Sequence, residues 1–146
     1  MARPSAAALM KPRRHRACHG GGDLLDDRLA SRRQARGVGA VVVSDASHAV
    51  LGIHSERDIV RAIGAGSSSV LEEPVSRYMT AKVTTVNENA SIDRVMELMT
   101  AGRFRHLPVV EDGRLVGIVS IGDVVKRHVN AIESEQRALR DYIATA

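Results

Sequence analysis

At 146 residues, 44% of them hydrophobic and 26% charged, the chain has material for one domain's worth of core and is too short for a barrel enzyme of ordinary size. Aromatics make up 2% with no Trp, which leaves little for stacking on nucleic-acid bases; the single cysteine, Cys18, excludes an internal disulfide framework; and no apolar run approaches the roughly 18 residues that span a bilayer. The net charge of +4 is unevenly placed: residues 1–37 hold nine Lys and Arg against three Asp, so this arm carries +6 and the rest of the chain −2.

An Arg-rich arm of this kind either touches an anionic surface or is a solvated tail, and the solvated tail is the simpler expectation. No hydrophobic stretch of signal-peptide type opens the chain, so a cytoplasmic location is expected. His15, Cys18 and His19 are three metal-capable side chains within five residues. They are interleaved with Arg16 and lack a fourth ligand at zinc spacing, so no metal site is expected. Gly20-Gly21-Gly22-Asp23 has neither the Lys-Ser/Thr of a phosphate-binding loop nor a preceding strand, and is assigned to a turn. Asp23 would cap a helix over residues 24–36 with a thin apolar face at Leu25 and Leu29.

At Val38 the composition changes as abruptly as a shift of reading frame would make it. Gly39 to Val43 and Val50 to Ile53 are predicted strands around a turn at Asp45 to Ser47, followed by a helix over Ser55 to Ile63 that ends in the Gly/Ser run at 64–69. Glu72-Glu73-Pro74 begins a connector. Val83 to Val86 is a strand by propensity. Ser91 caps a helix whose Ile92, Val95, Met96 and Met99 lie on one stripe and which stops near Gly102. Leu107 to Val110 and Leu115 to Val119 are predicted as a hairpin of buried strands about Glu111 to Arg114, after which Ser120 opens a helix with Asp123 placed for a capping box. That helix continues through Val125, Val129, Ile132, Gln136, Leu139 and Ile143, spaced 4, 3, 4, 3, 4, a heptad seam with one polar member. The seam serves homodimerisation; the alternative is that it packs on its own subunit.

The last hairpin and helix start occur twice. Gly117-Ile118-x-Ser120-x-x-Asp123-x-Val125 falls on Gly52-Ile53-x-Ser55-x-x-Asp58-x-Val60 at an offset of 65, and Val109, Val110 and Asp112 fall on Val42, Val43 and Asp45 at an offset of 67. Together with Met79-Thr80, Val83-Thr84-Thr85-Val86 and His106-Leu107-Pro108-Val109-Val110, these motifs resemble the CBS domain, and the whole chain resembles a stand-alone bacterial CBS-domain pair, or Bateman module. The expected fold is α/β (α+β): tandem repeats, each a small sheet with helices on one face, related by a pseudo-twofold axis. The first repeat is expected to be incomplete, because before Val38 no counterpart of the Met-Thr pair, the Thr-Val strand or the Met-rich helix is found. The expected divisions are a basic arm at 1–37, a partial first repeat at 38–70, a connector at 71–78, the second repeat at 79–128 and a C-terminal helix extension at 129–146.

The resemblance implies a non-catalytic regulatory module whose clefts bind an adenine nucleotide or related adenosyl compound. AMP, ADP, ATP, S-adenosylmethionine and NAD(H) are the candidate regulatory ligands, with no obligatory cofactor and no metal. By motif match, Asp123 and Ser120 would take ribose and phosphate in one cleft and Asp58 and Ser55 in the other. Thr84, Val86, His106, Leu107 and Pro108 would form the base-side wall, with Arg57 near the phosphates. The chemistry fits: a carboxylate accepts two sugar hydroxyls, and a capped helix N-terminus offers donors and a favourable dipole to an anion. Helix capping by itself also accounts for each Ser-x-x-Asp. The resemblance further implies a homodimer, with no membrane and no nucleic acid as partner. The alternative function is a ligand-free adaptor that docks a partner protein or nucleic acid through the arm or the C-terminal helix. No nucleophile or second carboxylate is placed beside His106, so no catalytic machinery is expected.

Overall fold

The computed structural model describes residues 5–6, 11–12, 18–19, 39–45, 47–66, 69 and 73–145. Its elements are β1 (Lys11–Pro12), β2 (Cys18–His19), β3 (Ala40–Ser44), β4 (Val50–Ser55), α1 (Glu56–Gly64), α2 (Ile92–Gly102), β5 (His106–Glu111), β6 (Arg114–Ser120) and α3 (Ile121–Thr145), with a 3-10 turn at Val75–Arg77. The expected helix over 24–36 and the Gly20 to Asp23 turn lie outside the described residues, as do the side chains of Cys18 and His19.

Both hairpins form as the β-branched runs predict, and they are built alike. β3 pairs antiparallel with β4 and β5 with β6, and each ladder slips by one residue at an equivalent place, between Val43 and Ser44 and between Val109 and Val110. Such a bulge adds local twist and lets one strand serve two faces. β6 does so. Val119 packs with Val95, Met99, Leu107, Val109 and Val124 under the helices of the second repeat, whereas Leu115 and Ile118 meet Val42 of β3, with Val50 and Ile53 at the margin. Each sheet therefore has helices on one face and the other sheet on the opposite face, and the apolar runs of β3 and β6 reflect burial from both sides.

The arm departs from expectation at three places. β1 adds antiparallel to β6, with Lys11 opposite Ile118; β2 adds parallel to β3, with Cys18 opposite Val43; and Ala6 donates its N–H to the Ala90 carbonyl at 2.7 Å and is fully buried in the core of the second repeat. At these residues the arm is part of the two sheets and not a solvated tail. The internal symmetry explains why. Thr80 bridges Ile53 antiparallel just as Lys11 bridges Ile118, and Val86 bridges Val109 in parallel just as Cys18 pairs with Val43. Each repeat thus lends the segment before its body to the other repeat's second strand. The strand thought missing from the first repeat is present as β2. Conversely, the predicted strand at Val83 to Val86 contracts to a single bridge at Val86, whose N–H donates to Pro108 O at 3.1 Å.

α1 and α2 start at Ser55 and Ser91. The Ser91 hydroxyl accepts from the Arg94 N–H at 3.2 Å. α2 buries Ile92, Val95 and Met99, the stripe its period predicts. It ends at Arg103, which sits in the left-handed region at φ 53° and is exposed. A side chain there costs about 1 kcal/mol that glycine avoids. Arg103→Gly is expected to raise stability by up to about 1 kcal/mol, read as a melting-temperature gain of a few degrees; a loss would mean that the guanidinium makes a contact the cap needs.

In the connector, Glu73 accepts from the hydroxyls of Ser69 and Tyr78, both at 2.8 Å, and pairs with Arg77 at 2.8 Å. The hydrogen bond from Ser69, then that from Tyr78, holds its carboxyl below the ordinary value. In the first hairpin turn, Asp45 accepts from the Ser47 hydroxyl at 2.7 Å and the Ala49 N–H at 2.9 Å, and is lowered for the same reason, Ser47 first.

Candidate functional site

Two equivalent constellations arise where a second hairpin strand turns into a helix. At the end of β6, Ser120 donates its hydroxyl to Asp123 Oδ2 at 2.5 Å and its N–H to the same oxygen at 3.4 Å, while the Asp123 N–H donates back to Ser120 Oγ at 3.3 Å. At the end of β4, the Ser55 hydroxyl and N–H both donate to Asp58 Oδ2, at 2.9 and 2.7 Å. Capping boxes are thus formed at both places, and all four side chains remain part-exposed. A carboxylate oxygen and a hydroxyl presented together at a helix N-terminus can accept from sugar hydroxyls and donate to an anion.

The strands bring His106 to this place. It lies directly opposite Ser120 in the β5–β6 ladder and is half-buried. Its ring covers the backbone of Gly39: a Cβ added there would come within 3.3 Å of His106 Cε1. By strand register Ala40, opposite Ser55, is the counterpart of His106, opposite Ser120, and Gly39 is the counterpart of Arg105, so the asymmetry of the pair at this point is one imidazole matched by one methyl group. The ladders pair Val43 with Gly52 and Val109 with Gly117, so the first strands of the two hairpins align at an offset of 66 and not at the 67 read from the sequence, because strand pairing and not the apolar run fixes the register.

The remaining predicted residues divide by the pleat. Leu107 is fully buried and Val86 is 8% exposed, both within the hydrophobic core of the second repeat, so only their backbones are available to a ligand. The Val86 N–H and carbonyl are themselves engaged, to Pro108 O and from the Val110 N–H. Pro108 is buried, with its carbonyl taken by Val86. Thr84 and Arg57 are exposed, as is Lys126. The helix starts are also tied to the opposite strand: the Ile121 N–H donates to Arg105 O at 2.8 Å and the Glu56 N–H to Gly39 O at 3.2 Å, a link the sequence does not announce. Among the described residues no cluster of His, Cys, Asp and Glu could hold a metal ion, and no described helix is long and apolar enough to cross a membrane.

This geometry can be set beside known proteins. The family model for the CBS domain matches residues 75–130. The CBS domain-containing protein CBSX3, mitochondrial, of Arabidopsis thaliana is 38% identical over 125 residues, covering 83% of this chain and 60% of its own length. The chain spans 60% or less of the length of the first curated relatives it matches. A crystal structure of a CBS-domain protein from Agrobacterium tumefaciens is 44% identical, covers 84% of this chain and 91% of that one, and superposes with a TM-score of 0.72. The CBS domain pair of protein MJ0100, in complex with 5'-methylthioadenosine and S-adenosyl-L-methionine, reaches a TM-score of 0.77 over 89% of this chain and 99% of that chain; at 19% identity the likeness is one of fold. CBS-domain proteins are generally regulatory, non-catalytic modules. A chain of duplicated hairpins and capped helix starts that is 44% identical to the Agrobacterium CBS-domain protein across 91% of that structure, with the CBS model matched over residues 75–130, belongs to the CBS-domain family.

Proposed function

We propose that this chain is a non-catalytic regulatory module of the cytoplasm that binds an adenosyl ligand, an adenine nucleotide or S-adenosylmethionine, at the start of α3, and that it works as a homodimer. The observation that carries the reading is the pairing of Ser120 and Asp123 opposite His106, on a capped helix N-terminus whose side chains are still reachable from solvent. Asp123 takes the ribose hydroxyls, Ser120 and the first turn of α3 meet the phosphate or the carboxylate of the methionyl substituent, and His106 flanks the base. Ser55, Asp58 and Arg57 form the second, weaker site. The likeness in fold to a domain pair that carries methylthioadenosine and S-adenosylmethionine supports the ligand class. Exposed Val60 and Ile63 on α1 and the apolar face of α3 support the dimer.

The test is thermal unfolding of the chain with AMP, ADP, ATP, S-adenosylmethionine and NADH in turn. At 100 times its dissociation constant a ligand adds about 2.7 kcal/mol, roughly 5–10 °C for a chain of this size. Asp123→Ala is expected to abolish that increment. Because it also breaks a capping box worth about 1 kcal/mol, Asp58→Ala serves as the matched control: it loses its own cap and the weaker site, and keeps the larger increment that comes from the α3 site. No response to any of the five compounds would favour the adaptor reading, for which the open face of α3 is the supporting observation.

A further inference from the structure

We infer that α3, from Val125 to Ile143, pairs with the same segment of a second copy as a parallel, in-register, two-stranded coiled coil. α3 runs 25 residues, Ile121–Thr145, and of these only Val124 is buried. Every residue from 125 to 145 is exposed. Among them Val125, Val129, Ile132, Leu139 and Ile143 are 43–72% exposed, so no described part of the subunit covers the seam. Successive residues turn 100° about a helix axis, which puts Val124 about a third of a turn from the middle of the seam. The body is therefore attached to the outer side of the helix, and the seam faces outward, where a second body's helix can lie.

The flanking charges choose the occupant and its direction. With Val129, Gln136 and Ile143 at the a positions and Val125, Ile132 and Leu139 at d, the e positions are Lys126, Glu133 and Arg140, and the g positions His128, Glu135 and Tyr142. In a parallel pair each g residue meets the e residue five further on in its partner, which sets Glu135 against Arg140 and His128 against Glu133, each twice by symmetry. In an antiparallel pair that matches the apolar layers, Val125 on Ile143 and Val129 on Leu139, Lys126 comes beside Arg140 while Glu133 and Glu135 each face their own copy. Every charged contact is then repulsive. Gln136 points the same way. In the parallel pair the two side-chain amides share a layer and hydrogen-bond to each other, whereas antiparallel pairing sets each against Ile132, leaving a polar group unpaired. A second copy of this chain, in one direction and one register, satisfies His128, Glu133, Glu135, Arg140 and Gln136 together.

Under three heptads is marginal for an isolated coil, so the experiment uses the full chain. The inference deepens the homodimer reading and leaves the ligand reading aside. In a Cys18→Ser background, Ile143→Cys is oxidised mildly at micromolar concentration. The parallel pair brings the two sulfurs into one layer and a cross-linked dimer forms. An antiparallel pair leaves them at opposite ends of the seam, roughly 27 Å apart along the axis at 1.5 Å per residue, and none forms. Leu139→Asp, a change at an exposed position that leaves the fold intact, is expected to weaken the dimer at least ten-fold in sedimentation equilibrium. A wild-type chain with the mass of one 15.7 kDa subunit at all concentrations overturns both the dimer and this inference. A dimer that survives Leu139→Asp and does not cross-link at 143 overturns the coil alone, and a trimer mass overturns its two-stranded form.

Discussion

Leu107→Ala is expected to lower the stability of the chain by about 2–5 kcal/mol, a large share of the 5–15 kcal/mol that holds a domain of this kind together. Leu107 is fully buried on β5 in the one core cluster that also holds Ile92, Val95 and Met99 of α2, Val119 of β6 and Val124 of α3, so it belongs to a core that draws on every element of the second repeat. Those neighbours come from strands already in register and a helix already capped, and cannot close over the void. The cavity term therefore adds to the lost transfer energy. The loss also reaches the site, because the strand that carries Leu107 inward carries His106 to its place opposite Ser120. Urea unfolding followed by far-ultraviolet circular dichroism checks this: the midpoint falls with the slope unchanged. A loss under 1 kcal/mol would mean that the core is not closed around this residue.

Ile118→Asp is expected to cost more, above 3 kcal/mol, and to disrupt both repeats. Ile118 is 9% exposed in the seam between the two sheets, beside Leu115 and Val42, and its backbone pairs with Pro108 on one side and Lys11 on the other. A carboxylate there loses its hydration with no cation among the residues of that apolar cluster, and the chain must protonate it, admit water or part the sheets. Ile118→Val, which removes one methylene and no polarity, is expected to cost only about 0.5–1.5 kcal/mol. Hydrogen exchange by mass spectrometry separates the outcomes. Loss of protection in β3–β4 as well as β5–β6 is the expected result; protection retained in β3–β4 would show that the first sheet stands without the seam.

Much of the second repeat was legible because its signals are local. Both hairpins, the three serine-started helices and the α2 stripe appear within a residue or two of their predicted bounds, since turn chemistry, β-branched runs and capping residues act over a few positions. The site was half legible. Ser120 and Asp123, and Ser55 and Asp58, face each other because three helical residues bring them together, whereas Val86 and Leu107 turn inward because the pleat sends alternate side chains to the core. Lys11 and Cys18 were missed because two-residue strands carry no period. The one sequence trace is Met10 before Lys11, echoing Met79 before Thr80.

What the sequence by itself determined is the repeat: two hairpins of matching strands about turns of different length, two Ser-x-x-Asp helix starts and a helix that runs on as a heptad seam, each decided by neighbours close along the chain. Only the tertiary structure decided how the halves are joined. Lys11 and Thr80 cross to the opposite repeat, Val42 meets Leu115 and Ile118, and Gly39 yields its side-chain space to His106, because strand pairing and sheet packing link residues far apart in the chain, whose partners are selected by shape and burial and leave no periodic mark in either segment.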